Sequence, residues 1–92
     1  MAKISIQRTH QLGLAQAREA INQVGQDLAS SYQLSQEWQG NTLRVKRSGL
    51  EGSIAVSDHD VQIDLQLGLL LSAAQGAIKQ AIHAELERRL GG

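Results

Sequence analysis

The side chains able to do chemistry are few and scattered. Histidines stand at 10, 59 and 83, and there is no cysteine, hence no disulfide framework, thiol nucleophile or Cys-based zinc site. Asp58-His59-Asp60 is the one place where potential metal donors adjoin. Ligation needs three or four converging donors, and adjacent residues of a strand turn point different ways, so a solvated turn competes with a metal site there. Serine, histidine and aspartate all occur, but no Gly-x-Ser-x-Gly elbow frames a nucleophile. Ser48-Gly49 and Gly52-Ser53 read as turn chemistry. Neither glycine leads from a strand into a helix as a phosphate loop requires. No catalytic residue, metal or cofactor is expected.

Two arginines are more informative. Arg8 continues the face of Ile4 and Ile6, and Arg47 continues that of Leu43 and Val45. Inward arginines at strand ends suit an anionic ligand group at a sheet rim. The competing reading has their stems covering the core edge while the heads reach water or a helix carboxylate such as Glu19 or Glu85. Trp38 is either core filler or a partly exposed ligand anchor. With His10, set between a strand and a helix, these give the candidate ligand-binding residues: Arg8, His10, Trp38 and Arg47.

Composition narrows the classes. Nine Lys and Arg balance nine Asp and Glu, so the basic footprint of a nucleic-acid binder is absent. With aromatics at 2% there is little to stack on bases. Leu69-Leu70-Leu71 is the longest apolar cluster, far short of the roughly 20 residues of a membrane span, and the N-terminus lacks the apolar run of a signal peptide. The expectation is a soluble, cytoplasmic, single-domain protein over residues 1–92, whose core is built from Leu, Ile, Val and Ala.

These residues must be positioned by a small number of elements, marked by switches between period 2 and period 3.6. Residues 3–8 alternate and predict a strand. Leu14, Ala17, Ile21, Val24 and Leu28 form one helical stripe, with Thr9 a candidate N-cap, Gly25 a weak point, and an end near Ser31–Tyr32. Gly40-Asn41 then reads as a two-residue turn, which places Trp38 opposite Leu43, Gln36 opposite Val45 and Glu37 opposite Arg44. A bend at Gly49-Leu50 pairs Val45 with Ile54 and Leu43 with Val56. A bend at Asp58-His59 pairs Val56 with Val61 and Ile54 with Ile63. Apolar meets apolar throughout, and a one-residue slip would turn that set outward. Val61, Ile63, Leu65 and Leu67 alternate strictly with polar residues.

After Gly68, Ser72 and Gln75 match a capping box. Leu71, Ala74, Ile78, Ile82 and Leu86 form a second helical stripe, closed by Arg88, Arg89 and Gly91-Gly92. The fold class is therefore α+β: a five-stranded antiparallel sheet in the order β-α-β-β-β-β-α, with both helices on its one apolar face. The first strand pairs either with the fifth or, in parallel, with the second. The strongly apolar fifth strand belongs in the interior, which favours the spatial order 1-5-4-3-2. Leu67, Leu69, Leu70 and Leu71 crowd a short stretch and cannot all face the core, which predicts an exposed apolar patch near the start of the second helix.

The run Ile6, Arg8, His10, Leu12 and Gly13 follows an I-x-R-x-H-x-L-G pattern. Trp38-Gln39-Gly40, Arg47, Gly49, Gly52, Ile54, Leu67-Gly68-Leu69-Leu70-Leu71 and Gly76 extend it. Together they resemble the polyhydroxyalkanoic acid system family, small bacterial proteins named for loci of polyester synthesis and granules. Val45 and Ala73-Ala74 depart from the pattern, which has aromatics and a proline there. The resemblance implies a helix-grip-like arrangement and a cytoplasmic setting in storage-polyester metabolism, with granules or polyester-synthesis proteins as partners. It supplies no catalytic residues. Two functions follow: a non-enzymatic accessory or interaction protein, or a module binding a small hydrophobic or acyl ligand in a cavity between the sheet and the C-terminal helix. A thioesterase or hydratase is a third, for which no nucleophile is paired with a base.

Overall fold

A computed structural model describes residues 2–90. The alternating N-terminal segment is strand β1 (Ala2–Thr9), followed by helix α1 (Gly13–Tyr32), then β2 (Ser35–Gln39), β3 (Thr42–Arg47), β4 (Leu50–Val56) and β5 (Asp60–Leu67). A single-turn helix α2 (Leu69–Ser72) leads into α3 (Gln75–Leu90). The strands form one antiparallel sheet in the order β1-β5-β4-β3-β2. Ile4 faces Leu65 and Ile6 faces Ile63, as the apolar character of β5 predicts.

Period-2 alternation puts one face in the core. A row of Ile6, Ile63, Ile54, Leu43 and Trp38 crosses all five strands. Its members up to Leu43 are buried, and α1 lies over it through Ala17, Ile21, Val24 and Leu28. Ile78, Ile82, Leu86 and Leu90 are the buried face of α3, which packs against α1 and β1. Each such aliphatic side chain contributes roughly 1.5–3 kcal/mol when withdrawn from water, so a slip that exposed a row would cost far more than any turn preference. The opposite face is wet and hydrogen-bonded. The Ser5 hydroxyl donates to Asp64 Oδ1 (3.0 Å) and the Gln62 amide donates to Ser5 Oγ (3.2 Å).

Three local expectations are corrected. The second hairpin turns at Ser48-Gly49, so Val45 faces Gly52 and Leu43 faces Ile54, a shift of two residues from the expected pairing. A two-residue shift preserves the faces, so hydrophobic pattern alone does not detect it. It is decided by Gly49, which takes the left-handed conformation (φ 85°), and by Leu50, which is 4% exposed in the strand. Thr9 does not cap α1: the N-cap position is Leu12, and the Leu14 N–H is taken by Asp58 Oδ1 (3.1 Å) from the β4–β5 turn. The Ser72–Gln75 capping box is not formed either. The Ser72 hydroxyl donates to the Leu69 carbonyl (2.8 Å) and the Gln75 amide to the Lys3 carbonyl (3.0 Å), because a second turn of chain intervenes and α3 docks on β1. The expected stop at Gly91-Gly92 lies outside the described residues.

Gly25 has a reason that helix propensity does not show. A Cβ there would press on Gln36 Oε1 and Leu43 Cδ2, both at 2.5 Å. The missing side chain lets α1 settle onto β2 and β3, and this close packing offsets the propensity cost.

Candidate functional site

The candidate ligand-binding residues are positioned by different elements and do not converge. Arg8 is half-buried on the inner face opposite Val61, near the β1 C-terminus. Arg47 sits opposite Leu50, at the other end of the sheet. Its Nη1 donates to the Tyr32 carbonyl (2.8 Å) and its Nε to the Ser48 carbonyl (3.2 Å). It thereby satisfies a C-terminal carbonyl of α1, one of the groups every helix leaves unpaired. Trp38 lies on the edge strand β2, half-buried under α1. Its indole N–H donates to Asn22 Oδ1 (3.0 Å), and the Arg18 guanidinium lies over the ring at 4.4 Å from the centroid.

His10 is buried, at 8% exposure, in the connection between β1 and α1. Its Nε2 lies 2.9 Å from the Ser57 carbonyl, which can only accept. The Leu12 N–H donates to Nδ1 (3.2 Å). These partners assign the neutral tautomer with the proton on Nε2, and they commit both ring nitrogens to the backbone. The His10 N–H donates to the His59 carbonyl (2.9 Å).

The β4–β5 turn completes this junction. Asp58 holds the start of α1, while the Ser57 hydroxyl donates to Asp60 Oδ1 (2.6 Å) and the Gln7 amide to Asp60 Oδ2 (2.8 Å). These two hydrogen bonds, the hydroxyl's foremost, hold the Asp60 carboxyl below the usual carboxylate range. Asp58-His59-Asp60, adjacent in sequence, are thus drawn apart into a cap, an exposed residue and a turn clasp. Among the described residues no three His, Cys, Asp or Glu side chains come together to hold a metal ion.

A second polar cluster joins α1 to α3. Arg89 Nη2 donates to Asp27 Oδ2 (2.8 Å), and Arg88 pairs with Glu85. The Arg89 guanidinium lowers the Asp27 carboxyl from its ordinary range and is itself raised. Glu85 Oε2 is buried without a hydrogen-bond partner, 3.8 Å from Arg89 Nε. Glu85 with Arg88 and Arg89 is a local pattern at i,i+3 and i,i+4, but nothing local in the sequence points to Asp27, 62 residues from Arg89.

Neither of two surface concavities gathers the candidate set, and of its members only Arg47 lines one of them. A groove of about 390 Å³ crosses the outer sheet face between Lys3, Ser5, Arg44, Ser53 and Asp64. A shallower one of about 330 Å³ lies at the β3–β4 turn beside Lys46 and Arg47.

The expected apolar patch is present. Leu69 and Leu70 are 81% and 90% exposed, the large hydrophobic side chains left in water among the described residues. They follow closely on β5, an interior, strongly apolar strand. Gly68 donates its N–H to the Gly49 carbonyl (2.8 Å), and Leu71 packs within reach of Gly49. This anchors α2 to the β3–β4 turn and turns the two preceding leucines outward. No helix among the described residues is long and apolar enough to cross a membrane.

A family model described as "Putative polyhydroxyalkanoic acid system protein" matches residues 4–90 of the chain. The comparisons with curated proteins and with solved structures found no match.

Proposed function

The chain belongs to the polyhydroxyalkanoic acid system family, and from that premise we propose that it is a non-enzymatic accessory or interaction protein of polyhydroxyalkanoate metabolism, acting in the cytoplasm at the polymer granule or on its synthesis enzymes. The observation that carries this reading is the Leu69–Leu70 pair, 81% and 90% exposed on a chain that buries its other large aliphatic side chains wholly or in part. Exposed apolar groups held in a fixed geometry are the usual mark of a surface meant to be covered. The dispersal of Arg8, His10, Trp38 and Arg47 supports the same reading, since binding or catalysis at one site needs convergent groups. The acyl-ligand alternative needs free space between the sheet and α3, where the side chains that meet are buried aliphatics.

The test is fractionation of granule-producing cells. The chain is expected in the granule fraction or in complex with a polyester enzyme, and a Leu69→Ser/Leu70→Ser variant is expected to leave it. A wholly soluble distribution of the wild type, with no polyester enzyme recovered alongside it, overturns the reading.

A further inference from the structure

We propose that the Leu69–Leu70 tip docks on an anionic lipid surface; the inference rests on the reading of this tip as the protein's contact surface and names what it contacts. Residues 65–78 carry no charge. Within them Leu69, Leu70, Ala73, Gly76 and Ala77 are all exposed, so the apolar surface continues from α2 onto the first turn of α3.

Cations flank this surface on two sides. Leu67, the last residue of β5, faces Ala2 of β1 on one side and Leu50 of β4 on the other. The chain therefore leaves the sheet for α2 between the start of β1 and the β3–β4 turn. On the β1 side stand Lys3, whose carbonyl takes the Gln75 amide, and Lys79, one helical turn beyond Gln75 on the same side of α3. On the other side stands Lys46, beside the Gly49 that Leu71 packs against, while the neighbouring Arg47 guanidinium is held by the Tyr32 and Ser48 carbonyls. Glu51, opposite Lys46, is the acid of that turn. Three lysines against Glu51, with Asp64 two positions farther along β5 in the groove beside Lys3, on a chain of zero net charge, leave a positive excess around the apolar tip.

An apolar wedge with a basic collar matches a lipid boundary in both respects. The leucines enter the acyl region while the lysine amines meet anionic headgroups. A bare polymer surface would reward the leucines alone. A second copy of this tip would bring the two collars together and repel.

Sedimentation of the purified chain with vesicles tests this. Phosphatidylcholine vesicles containing about one-third phosphatidylglycerol are compared with pure phosphatidylcholine. The wild type is expected to bind the anionic vesicles about tenfold or more tightly than the neutral ones, with the difference falling as salt rises. Leu69→Ser/Leu70→Ser is expected to lose binding to both by about tenfold or more. Lys46→Gln/Lys79→Gln should abolish most of the preference for anionic lipid and leave circular dichroism and melting unchanged. Absence of wild-type binding overturns the proposal, as does equal binding to both vesicle types. So does a dimer of the free chain that the leucine variant dissolves, or equal binding of wild type and lysine variant to lipid-free polyester particles. Retention in the granule fraction of cells without vesicle binding would sink the lipid assignment while leaving the proposed function standing.

Discussion

The two ends of the sheet are built on opposite terms. At the end where β1 gives way to α1, His10, Asp58 and Asp60 are all engaged. His10 has both ring nitrogens bonded, Asp58 holds the Leu14 N–H, and Asp60 accepts from Ser57 and Gln7. At the other end, the chain leaves the most apolar strand and puts two leucines into water. The first end contains the histidine and aspartates that look reactive in the sequence and uses them as joints. The second contains side chains with no reactive groups, and it is the end left unsatisfied. Polar residues that find one another stabilise a fold, whereas apolar residues that find nothing point to a partner.

Four experiments break or sharpen that contrast. The largest effect is expected from His10→Ala, which removes a buried imidazole and strands the Ser57 carbonyl and the Leu12 N–H in a partly buried junction. It should cost about 2–3 kcal/mol in chemical denaturation and leave granule or vesicle association of the folded protein intact. A loss of association at unchanged stability would move function to this end.

Asp58→Ala removes the side-chain acceptor at the start of α1 and should cost about 1 kcal/mol, again read by denaturation. Acid should act next. The Asp60 carboxyl is lowered by its partners, so its stabilisation is fully present above the ordinary carboxylate value of about 3.9 and is lost as pH falls through the lower folded value. Asp60→Asn should therefore melt below the wild type at neutral pH, and the gap should close on acidification. A gap that widens as pH drops would show that the clasp does not stabilise the folded state.

The smallest effect on stability belongs to Leu69→Ser/Leu70→Ser, within about 0.5 kcal/mol of the wild type, as for surface positions generally. A loss of several kcal/mol would place these leucines in the core and remove the contrast altogether.

Much of this architecture was legible before any tertiary information. The alternation of Val61, Ile63, Leu65 and Leu67 marks β5 as an interior strand and favours the observed order β1-β5-β4-β3-β2 over a parallel pairing of β1 with β2. Gly40-Asn41 set the Trp38–Leu43 pairing, since a two-residue turn leaves one register that keeps both aliphatic sets on one face. Crowding of leucines after Gly68 announced the exposed tip. The β3–β4 register escaped the same logic because two candidate turns, Ser48-Gly49 and Gly49-Leu50, differ by a shift that leaves the faces unchanged.

The candidate site is less legible in the sequence, and for a different reason. Alternation places Arg8 and Arg47 on the inner face, but it reports which face a residue occupies and not which end of the sheet it reaches. Only the pairing of all five strands puts Arg8 beside Val61 and Arg47 beside Leu50. For Asp58, His59 and Asp60 the sequence already argues against convergence, because a tight turn sends consecutive side chains in different directions, but it does not show that Asp58 reaches the Leu14 N–H and Asp60 the Gln7 amide.

The amino-acid sequence by itself determined which side chains leave water, because hydrophobic periodicity is local and each buried aliphatic residue outweighs the turns around it. The tertiary structure alone decided which polar groups meet. His10 with Ser57, Arg47 with Tyr32 and Asp27 with Arg89 are 47, 15 and 62 residues apart. A hydrogen bond is directional and short-ranged, so it has no signature in the chain until folding brings its two ends together.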